Sequence, residues 1–452
     1  MEQKLERKYG LFTAICMVVG IVIGSGVFFK AQDILKMTGG DTPLGVLAWI
    51  VGGIVMMVCL LTFSFMGQKY EKVGGVVDYA EATVGRGYGY LMGWFVATVY
   101  FPSMTAVLCW VTAGYTLDFL SSVIPGFPHG DVAVIVTSLI IMAFAFLLNA
   151  IAPKLAGKFQ TSTTVIKLIP LGLMAVVGIV YGLVTGRLME NFQTNSLVTP
   201  TESDPFFAAV CSTAFAYEGW IIATSINAEI KDSKKNLPRA LIIGGILIAA
   251  VYIFYYLGVA GSATNQQLID EGTTIAFTNI FGGGLGNVLK LFVAISCFGT
   301  TNGLMMACCR GMYSVASRGE GPAHKTFGRI NAKTNMPTAS SLFGLASILL
   351  WFVYFIVFVS RPADAPTNIF FFDASELPII TIYLMYLPIL IQWMRKEKEQ
   401  PLLRRFVLPI LALCGSVFMI IASVFSHSIT CLGYLTVFFL IMVVGVLCRR
   451  PG

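Results

Sequence analysis

The chain has 452 residues and a formal net charge of +7, and 56% of its residues are apolar while only 12% are charged. Soluble globular proteins carry about 25% charged residues, so this composition excludes a water-soluble fold and predicts one that lipid surrounds. Apolar runs of about 20 residues recur without the alternation typical of barrel strands, which favours transmembrane helices over a membrane β-barrel.

The runs predict an all-α membrane protein, with residues 1–452 in one membrane domain and twelve spans at about 10–36, 44–67, 89–118, 131–150, 159–184, 206–229, 238–260, 288–316, 338–358, 366–393, 404–426 and 429–449. Twenty-three Lys and Arg residues fall on the side of the N-terminus and three on the other side. Because positive residues mark cytoplasmic loops, both termini are predicted to be cytoplasmic. This placement accounts for the net charge without a nucleic-acid partner.

Span 1 is interrupted near its middle, in the stretch "VVGIVIGSGVFFK" at residues 18–30. Glycine costs about 1 kcal/mol relative to alanine inside a helix, so Gly24 and Gly26 on either side of Ser25 predict a break. The alternative interpretation is a close-packing motif of small residues, as found between membrane helices.

Polar or aromatic residues within spans 3 and 5 raise two further questions. Tyr100 and Pro102 of span 3 either border a cavity or pack in an aromatic core. Lys167 lies in "FQTSTTVIKLIPLGL" of span 5, where a buried charge is costly and indicates a function. Its ammonium either holds the break of span 1 against span 8 or reaches the membrane interface.

Span 6 is also interrupted near its centre, at Ala216-Tyr217-Glu218-Gly219 within residues 205–230. Glu218 has several possible roles: a counter-charge for an amine, a proton carrier, a carboxyl that faces water in a pocket, or a residue that only shapes the break. Tyr217 is assigned to gating, together with Lys167. Glu229 at the inner end of span 6 forms a cytoplasmic salt bridge that acts as a latch, or belongs to a solvated loop.

Two broken helices in corresponding positions indicate a transporter binding site at the repeat interface. Five spans separate them, so spans 1–5 (10–184) and 6–10 (206–393) are predicted to be inverted repeats, with spans 11 and 12 (404–449) appended. Amides near Ser25, Gly26 and Val27 would be free to bind a carboxylate, because helix N-termini are partially positive.

The carbonyl groups at the same breaks complete the predicted site. Carbonyls near Ile21, Val22 and Ile23 of span 1, and at Phe215 and Ala216 of span 6, would suit an ammonium group. Together the amides and carbonyls predict a receptacle for an amino acid. Asn302 in "CFGTTNGL" of span 8 either contacts this ligand or packs between helices.

Ten cysteines and three histidines are spread along the chain. The cysteines lie in or beside apolar runs, which predicts packing residues rather than disulfides or metal ligands. His129, His324 and His427 are far apart in sequence, so neither a metal site nor a cofactor is predicted.

Five stretches resemble the amino acid–polyamine–organocation superfamily, and within it the L-amino acid transporter family with its bacterial serine/threonine and alanine–serine–cysteine exchangers. They are "GIVIGSGVF" (20–28), "FAYEGW" (215–220), "EIKDSKKNLPRA" (229–240), "SCFGTTNGLMMACCRGMYSVASRGEGP" (296–322) and "EQPLLRRFVLPIL" (399–411). The resemblance runs from about residue 8 to residue 448.

The resemblance implies a twelve-helix fold of five-plus-five inverted repeats and sodium-independent exchange of neutral amino acids. It assigns the substrate carboxylate to Ser25 and Gly26, and the amine to carbonyls at Val22, Phe215 and Glu218. It also matches Lys167 to the family's span 5 lysine, at a place where sodium-coupled relatives bind a cation. Glu218 departs from the pattern, since relatives carry a small residue or Asp there.

Eukaryotic members of this family carry a cysteine between spans 3 and 4 that bonds a heavy chain, whereas residues 119–130 have none. The sequence therefore predicts a chain that works alone, in a bacterial cell membrane. An amino acid exchanger is the preferred function. A proton-coupled symporter and a cationic amino acid or polyamine antiporter are the alternatives. A membrane enzyme and a channel are disfavoured, because neither clustered catalytic groups nor a polar helix stripe is visible.

Overall fold

A computed structural model describes residues 10–70, 74–193, 204–224, 230–361 and 368–449. Within these ranges the chain is helical, and its one pair of β-bridged residues is Asn331 and Met336. Among the described residues, eleven helices are long and apolar enough to cross a membrane, and the bent pair Leu11–Val22 and Gly26–Met37 adds a twelfth when it is counted as one span. The twelve predicted spans are thereby confirmed.

The helices follow one another in chain order. They are α1 (Leu11–Val22), α2 (Gly26–Met37), α3 (Thr42–Lys69), α4 (Val76–Thr83), α5 (Arg86–Phe95), α6 (Phe101–Val123), α7 (Asp131–Ile151), α8 (Pro153–Leu173), α9 (Ile179–Thr185), α10 (Arg187–Gln193), α11 (Pro205–Tyr217), α12 (Trp220–Ala223), α13 (Ser233–Ser262), α14 (Asn265–Glu271), α15 (Thr274–Ala316), α16 (His324–Phe327), α17 (Thr338–Val359), α18 (Leu377–Lys396), α19 (Leu408–His427) and α20 (Thr430–Cys448).

In the part of the chain that the structure describes, three π-helical turns join or extend these helices within spans. Val96–Tyr100 links α5 to α6 in span 3, Met174–Gly178 links α8 to α9 in span 5, and Leu403–Val407 precedes α19 in span 11. The helices α4, α10, α14 and α16 are short connections between spans. A π turn adds a residue to the helical repeat and is frequent at functional sites, and the first of these turns contains Tyr100.

Several observed spans begin at other residues than the apolar runs predict. Span 5 begins at Pro153 rather than 159, because proline suits the first turn of a helix even where the sequence is still polar. Helix α15 begins at Thr274 but consists of two helices that meet at Gly282, whose φ of 71° only glycine adopts without strain, so span 8 itself starts after Gly282, close to the predicted 288. Span 10 begins at Leu377 rather than 366 and is therefore shorter than predicted.

Both predicted breaks are present. Helix α1 ends at Val22, Ile23 is extended with φ −69° and ψ 107°, and α2 starts at Gly26 at an angle of 41° to α1. In span 6, α11 ends at Tyr217, Glu218 is extended, and Gly219 has a φ of +106°. A residue with a side chain would be strained at Gly219, which explains why glycine follows the glutamate.

The broken spans lie at the centre of the bundle. Helix α1 packs against α8 and α13, and α11 packs against α2, α3 and α19. Large apolar side chains such as Ile140, Val165 and Leu447 are exposed on the outer helices, where lipid would cover them. The polar groups of the two breaks are therefore enclosed by protein, as backbone at membrane depth requires.

Ion pairs join the connecting segments on the side of the N-terminus. Arg318, just after α15, pairs with the buried Asp78 of α4 and with Glu81 at 3.3 Å. The buried Glu320 accepts from Arg86 at 3.3 Å and Arg449 at 3.2 Å. These contacts fasten the loop after span 2 to the ends of spans 8 and 12.

Candidate functional site

The two broken helices touch each other at their glycines. A β-carbon added to Gly26 would lie only 2.5 Å from the Cα of Ala216, and one added to Gly219 would lie 3.3 Å from the carbonyl oxygen of Ile21. No side chain fits at Gly26 without displacing backbone. The glycines of the two breaks thus allow the main chains of spans 1 and 6 to meet.

A cavity of about 30 Å³ lies where the breaks meet. It has room for about two water molecules, so a bound amino acid requires its walls to move apart. Six of the predicted residues line it: Ile21, Val22, Ser25, Gly26, Phe215 and Glu218. Tyr100 borders the cavity and also packs against the rings of Phe95 and Phe101, whereas Pro102 is absent from the lining.

The amino-terminal end of α2 is the positive side of the cavity. Ser25 is fully buried, has helical dihedral angles, and its hydroxyl has no hydrogen-bond partner. The first amides of a helix have no partner within the helix, so those at Ser25, Gly26 and Val27 are available. Val27 itself is buried and its side chain lies outside the cavity lining. These three amides and the Ser25 hydroxyl therefore place four hydrogen-bond donors at the start of α2.

Lys167 of α8 reaches the end of α1 from the opposite side. Its ammonium is fully buried and donates to the carbonyls of Gly20 at 2.6 Å and Ile23 at 2.5 Å. It therefore does not reach the membrane interface, and it neutralises the negative end of the half-helix. The carbonyl of Ile23, predicted to face an ammonium group of the substrate, already accepts from Lys167.

Tyr252 of α13 joins the carbonyl ends of both broken helices. Its hydroxyl lies 3.0 Å from the carbonyl oxygen of Val22 and 3.0 Å from that of Ala216. Ala216, predicted to bind the amine, is absent from the cavity lining, and its carbonyl faces this tyrosine. The predicted carbonyl residues that border the cavity are Ile21, Val22, Phe215 and Glu218.

Glu218 contributes a buried carboxyl at the cavity wall. Its side chain lies beside the hydroxyl of Tyr100 and the backbone amide of Gly219. One carboxylate oxygen, Oε1, has no hydrogen-bond partner. A buried acceptor without a partner is costly, so this oxygen is available to a hydrogen-bond donor that enters the cavity.

Gly24, predicted as part of the break, also lines the cavity. Three polar or small residues of the lining were not predicted from the sequence: Gln160, Thr300 and Gly303. Gln160 stands in the "QTSTT" stretch at the start of span 5, and its amide lies 3.4 Å from the carbonyl of Gly20. The runs of Thr and Gly in spans 5 and 8 were the signal that could have indicated them.

Two further predicted residues, Asn302 and Tyr217, lie outside the cavity lining. Asn302 is buried between helices, where its side chain accepts from Asn149 at 2.8 Å and donates to Ala156. Tyr217 points away, and its hydroxyl donates to the carbonyl of Trp49 at 2.9 Å. Glu229 lies outside the described residues.

Comparisons with known proteins cover nearly the whole chain. The serine/threonine exchanger SteT of Bacillus subtilis is 29% identical over 94% of this chain and 93% of its own length. The b(0,+)-type amino acid transporter 1 of Mus musculus is 28% identical over 94% of this chain and 84% of its length.

A human relative extends the comparison. The large neutral amino acids transporter small subunit 2 of Homo sapiens is 25% identical over 94% of this chain and 77% of its length. The family model described as amino acid permease matches residues 9–447. The chain therefore belongs to the amino acid permease family.

Proposed function

We propose that this protein is a sodium-independent exchanger of neutral L-amino acids, which crosses the membrane with both termini in the cytoplasm. The observation that carries the proposal is the meeting of the two broken helices at one cavity. That meeting offers unpaired amides, a free serine hydroxyl and carbonyls within a few ångströms. The amides and the hydroxyl complement the carboxylate of a zwitterionic amino acid, and the carbonyls complement its ammonium group.

The carboxylate of the substrate binds at the start of α2. The amides of Ser25, Gly26 and Val27 donate to it, and the Ser25 hydroxyl adds a fourth donor. The Ser25 hydroxyl has no hydrogen-bond partner within the protein, which supports this role. The ammonium binds at the carbonyls of Val22 and Phe215, with the Glu218 carboxyl beside them.

Lys167 takes the place of a coupling cation. A sodium ion at a broken helix is held by backbone carbonyls at the end of the half-helix, and the Lys167 ammonium already occupies the carbonyls of Gly20 and Ile23. A second cation at this position would face a like charge at close range. The Lys167 ammonium thereby removes the need for sodium.

Transport proceeds by alternating access. Spans 1, 2, 6 and 7 form a bundle that rocks against a scaffold of spans 3, 4, 8 and 9, which follows from spans 1–5 and 6–10 as inverted repeats. The contacts of Tyr252 with both breaks support a common motion of spans 1, 6 and 7. No covalent chemistry takes part.

The relatives' names support the class of substrate, since they are called exchangers or transporters of amino acids. The absence of cysteine from residues 119–130 supports a chain that works without a disulfide-linked heavy chain. The excess of Lys and Arg on the side of the N-terminus supports the cytoplasmic placement of both termini.

Exchange is tested with purified protein in liposomes. Radiolabelled alanine, serine, leucine and arginine are offered outside, with and without unlabelled amino acid inside, in sodium or choline buffer. The expected result is uptake of neutral amino acids that needs internal amino acid and is equal in both buffers. Uptake that needs sodium, or that proceeds into empty liposomes, would contradict the proposal.

Proton-coupled symport is the second candidate, because the Glu218 carboxyl is buried at the cavity with an unpartnered oxygen. An inward proton gradient imposed on empty liposomes separates the two. Symport predicts accumulation of alanine that Glu218→Gln abolishes. Exchange predicts no accumulation in either protein, while Glu218→Gln still exchanges alanine.

A further inference from the structure

The structure brings together three residues with metal-binding side chains, far from one another in sequence. Cys211 comes from α11, Glu376 immediately precedes α18, and His427 ends α19. Their ligand atoms all lie within 4.8 Å of one another. By the order of the spans, this cluster lies toward the side of the membrane opposite the N-terminus.

The spacing fits the tetrahedral geometry of zinc. Zn–S bonds of about 2.3 Å and Zn–N or Zn–O bonds of about 2.0–2.2 Å place neighbouring ligand atoms roughly 3.4–3.6 Å apart. The Nε2 of His427 is 3.2 Å from Oε2 of Glu376 and 3.8 Å from Sγ of Cys211. Only side-chain adjustments are needed to surround an ion.

Glu376 places a carboxylate between a buried lysine and the other two residues of the cluster. Its Oε2 is buried and lies 3.2 Å from Nε2 of His427. The other oxygen, Oε1, accepts from the buried ammonium of Lys30 at 2.7 Å. Lys30 therefore holds one oxygen of the carboxylate, and the other oxygen faces the histidine and the cysteine, where a metal ion would take the place of the direct contact between Glu376 and His427.

The surrounding charge favours a cation in spite of Lys30. The carboxylates of Asp33 and Asp373 also act on the Lys30 ammonium, and Lys36 acts in turn on Asp33. Three carboxylates thus share two lysines. A divalent ion would offset the remaining negative charge, and the Cys211 thiol would lose its proton on binding.

We propose that Cys211, Glu376 and His427 form a binding site for a zinc-like divalent metal ion, with water as the fourth ligand. His427 is 13% exposed, which leaves a way in for the ion. The sequence analysis predicted no metal site, because residues 211, 376 and 427 become neighbours only when three helices pack. A bound ion would link span 6 to spans 10 and 11 beside the broken helix.

The test measures metal binding to the full-length protein in detergent or nanodiscs. Chelated and dialysed protein is equilibrated with zinc chloride and analysed for bound metal. One zinc per chain is expected for the wild type. Because loss of a supporting residue alone weakens metal sites about tenfold or more, Cys211→Ser and His427→Ala should each weaken binding at least that much.

Matched controls come from the same chain. Cys414→Ser removes an exposed cysteine, and His129→Ala removes an exposed histidine that contacts Asp118. Both controls should bind zinc like the wild type. Cobalt(II) should give a thiolate charge-transfer band with the wild type and the controls, and none with Cys211→Ser.

Several outcomes would overturn the proposal. Wild-type protein that binds no zinc refutes it whatever the variants do, so a variant that fails to fold leaves the test decisive. Binding that survives both ligand variants, or that His129→Ala abolishes, would assign the metal to another place. A cobalt complex without the thiolate band would exclude Cys211 as a ligand.

Discussion

At the scale of single residues, the proposed hydrogen bond from the Ser25 hydroxyl to the substrate carboxylate gives a direct prediction. A hydrogen bond to a charged group contributes about 1.5–3 kcal/mol, and 1.4 kcal/mol is tenfold in binding. Ser25→Ala should therefore raise the half-saturating concentration of alanine by about ten- to a hundredfold, without loss of folded protein. Concentration-dependent exchange in liposomes measures this.

Ser212 of α11 provides the control for Ser25. It too is fully buried with an unpartnered hydroxyl, yet it lies outside the cavity lining. Ser212→Ala should leave the half-saturating concentration near the wild-type value. An equal effect of the two substitutions would mean that Ser25 acts on packing and not on substrate.

The side chain of Lys167 holds the carboxyl-terminal end of the half-helix α1. Lys167→Ala leaves the carbonyls of Gly20 and Ile23 without their charged donor. We expect turnover in liposomes to fall more than tenfold, while size-exclusion profiles stay those of folded protein. Lys158→Ala, an exposed lysine of the same helix, should transport normally. Normal turnover of Lys167→Ala would refute its role.

At the scale of elements, the close approach of α2 and α11 depends on Gly26. Alanine there would place its β-carbon 2.5 Å from the backbone of Ala216 and push the two half-helices apart. Overpacking costs typically about 1–3 kcal/mol, so Gly26→Ala should lower the thermal midpoint and abolish exchange. Thermal unfolding in detergent and liposome exchange measure the two effects.

Gly172 of α8 offers the matching control, because a β-carbon there meets nothing within 4 Å. Gly172→Ala should keep or raise stability, since alanine favours a helix. A thermal midpoint of Gly26→Ala equal to that of the wild type would show that spans 1 and 6 have room to separate.

The breaks themselves could be predicted from sequence, because Gly24, Gly26 and Gly219 are local signals within apolar runs. The hydrogen-bond partners of the carbonyls at these breaks could not be predicted from sequence. Tyr252 lies in an unbroken apolar span and gives no sign that its hydroxyl meets Val22 and Ala216. Such contacts depend on which helices pack together, and the pattern along one helix does not contain that information.

The same reason explains why the side chains of Asn302 and Tyr217 lie outside the cavity lining, although both residues were predicted to belong to the site. Asn302 and Tyr217 were assigned to the site because they stand beside polar or broken sequence. One residue along a helix turns a side chain by about 100°, so neighbours of cavity residues face other helices. Gly303, next to Asn302, lines the cavity in its place.

At the scale of the molecule, Arg318 fastens the segment after span 8 to α4. Its loss leaves the buried Asp78 without its ion-pair partner, and breaking a buried pair costs about 3–5 kcal/mol. Arg318→Ala should therefore lower the thermal midpoint clearly. Arg187→Ala removes an exposed pair with Glu190 and should change little, since surface pairs contribute about 0–1 kcal/mol. Equal midpoints of the two variants would contradict this.

The hydroxyl of Tyr252 has a single hydrogen atom, yet it is equidistant from the carbonyls of Val22 and Ala216. At each instant one of these two oxygens goes without that hydrogen. If the substrate ammonium binds at Val22 as we propose, the tyrosine can turn its hydrogen to the carbonyl of Ala216 and leave the carbonyl oxygen of Val22 to the ammonium. Binding in the cavity would then be communicated to the neighbouring broken helix by the rotation of one O–H bond.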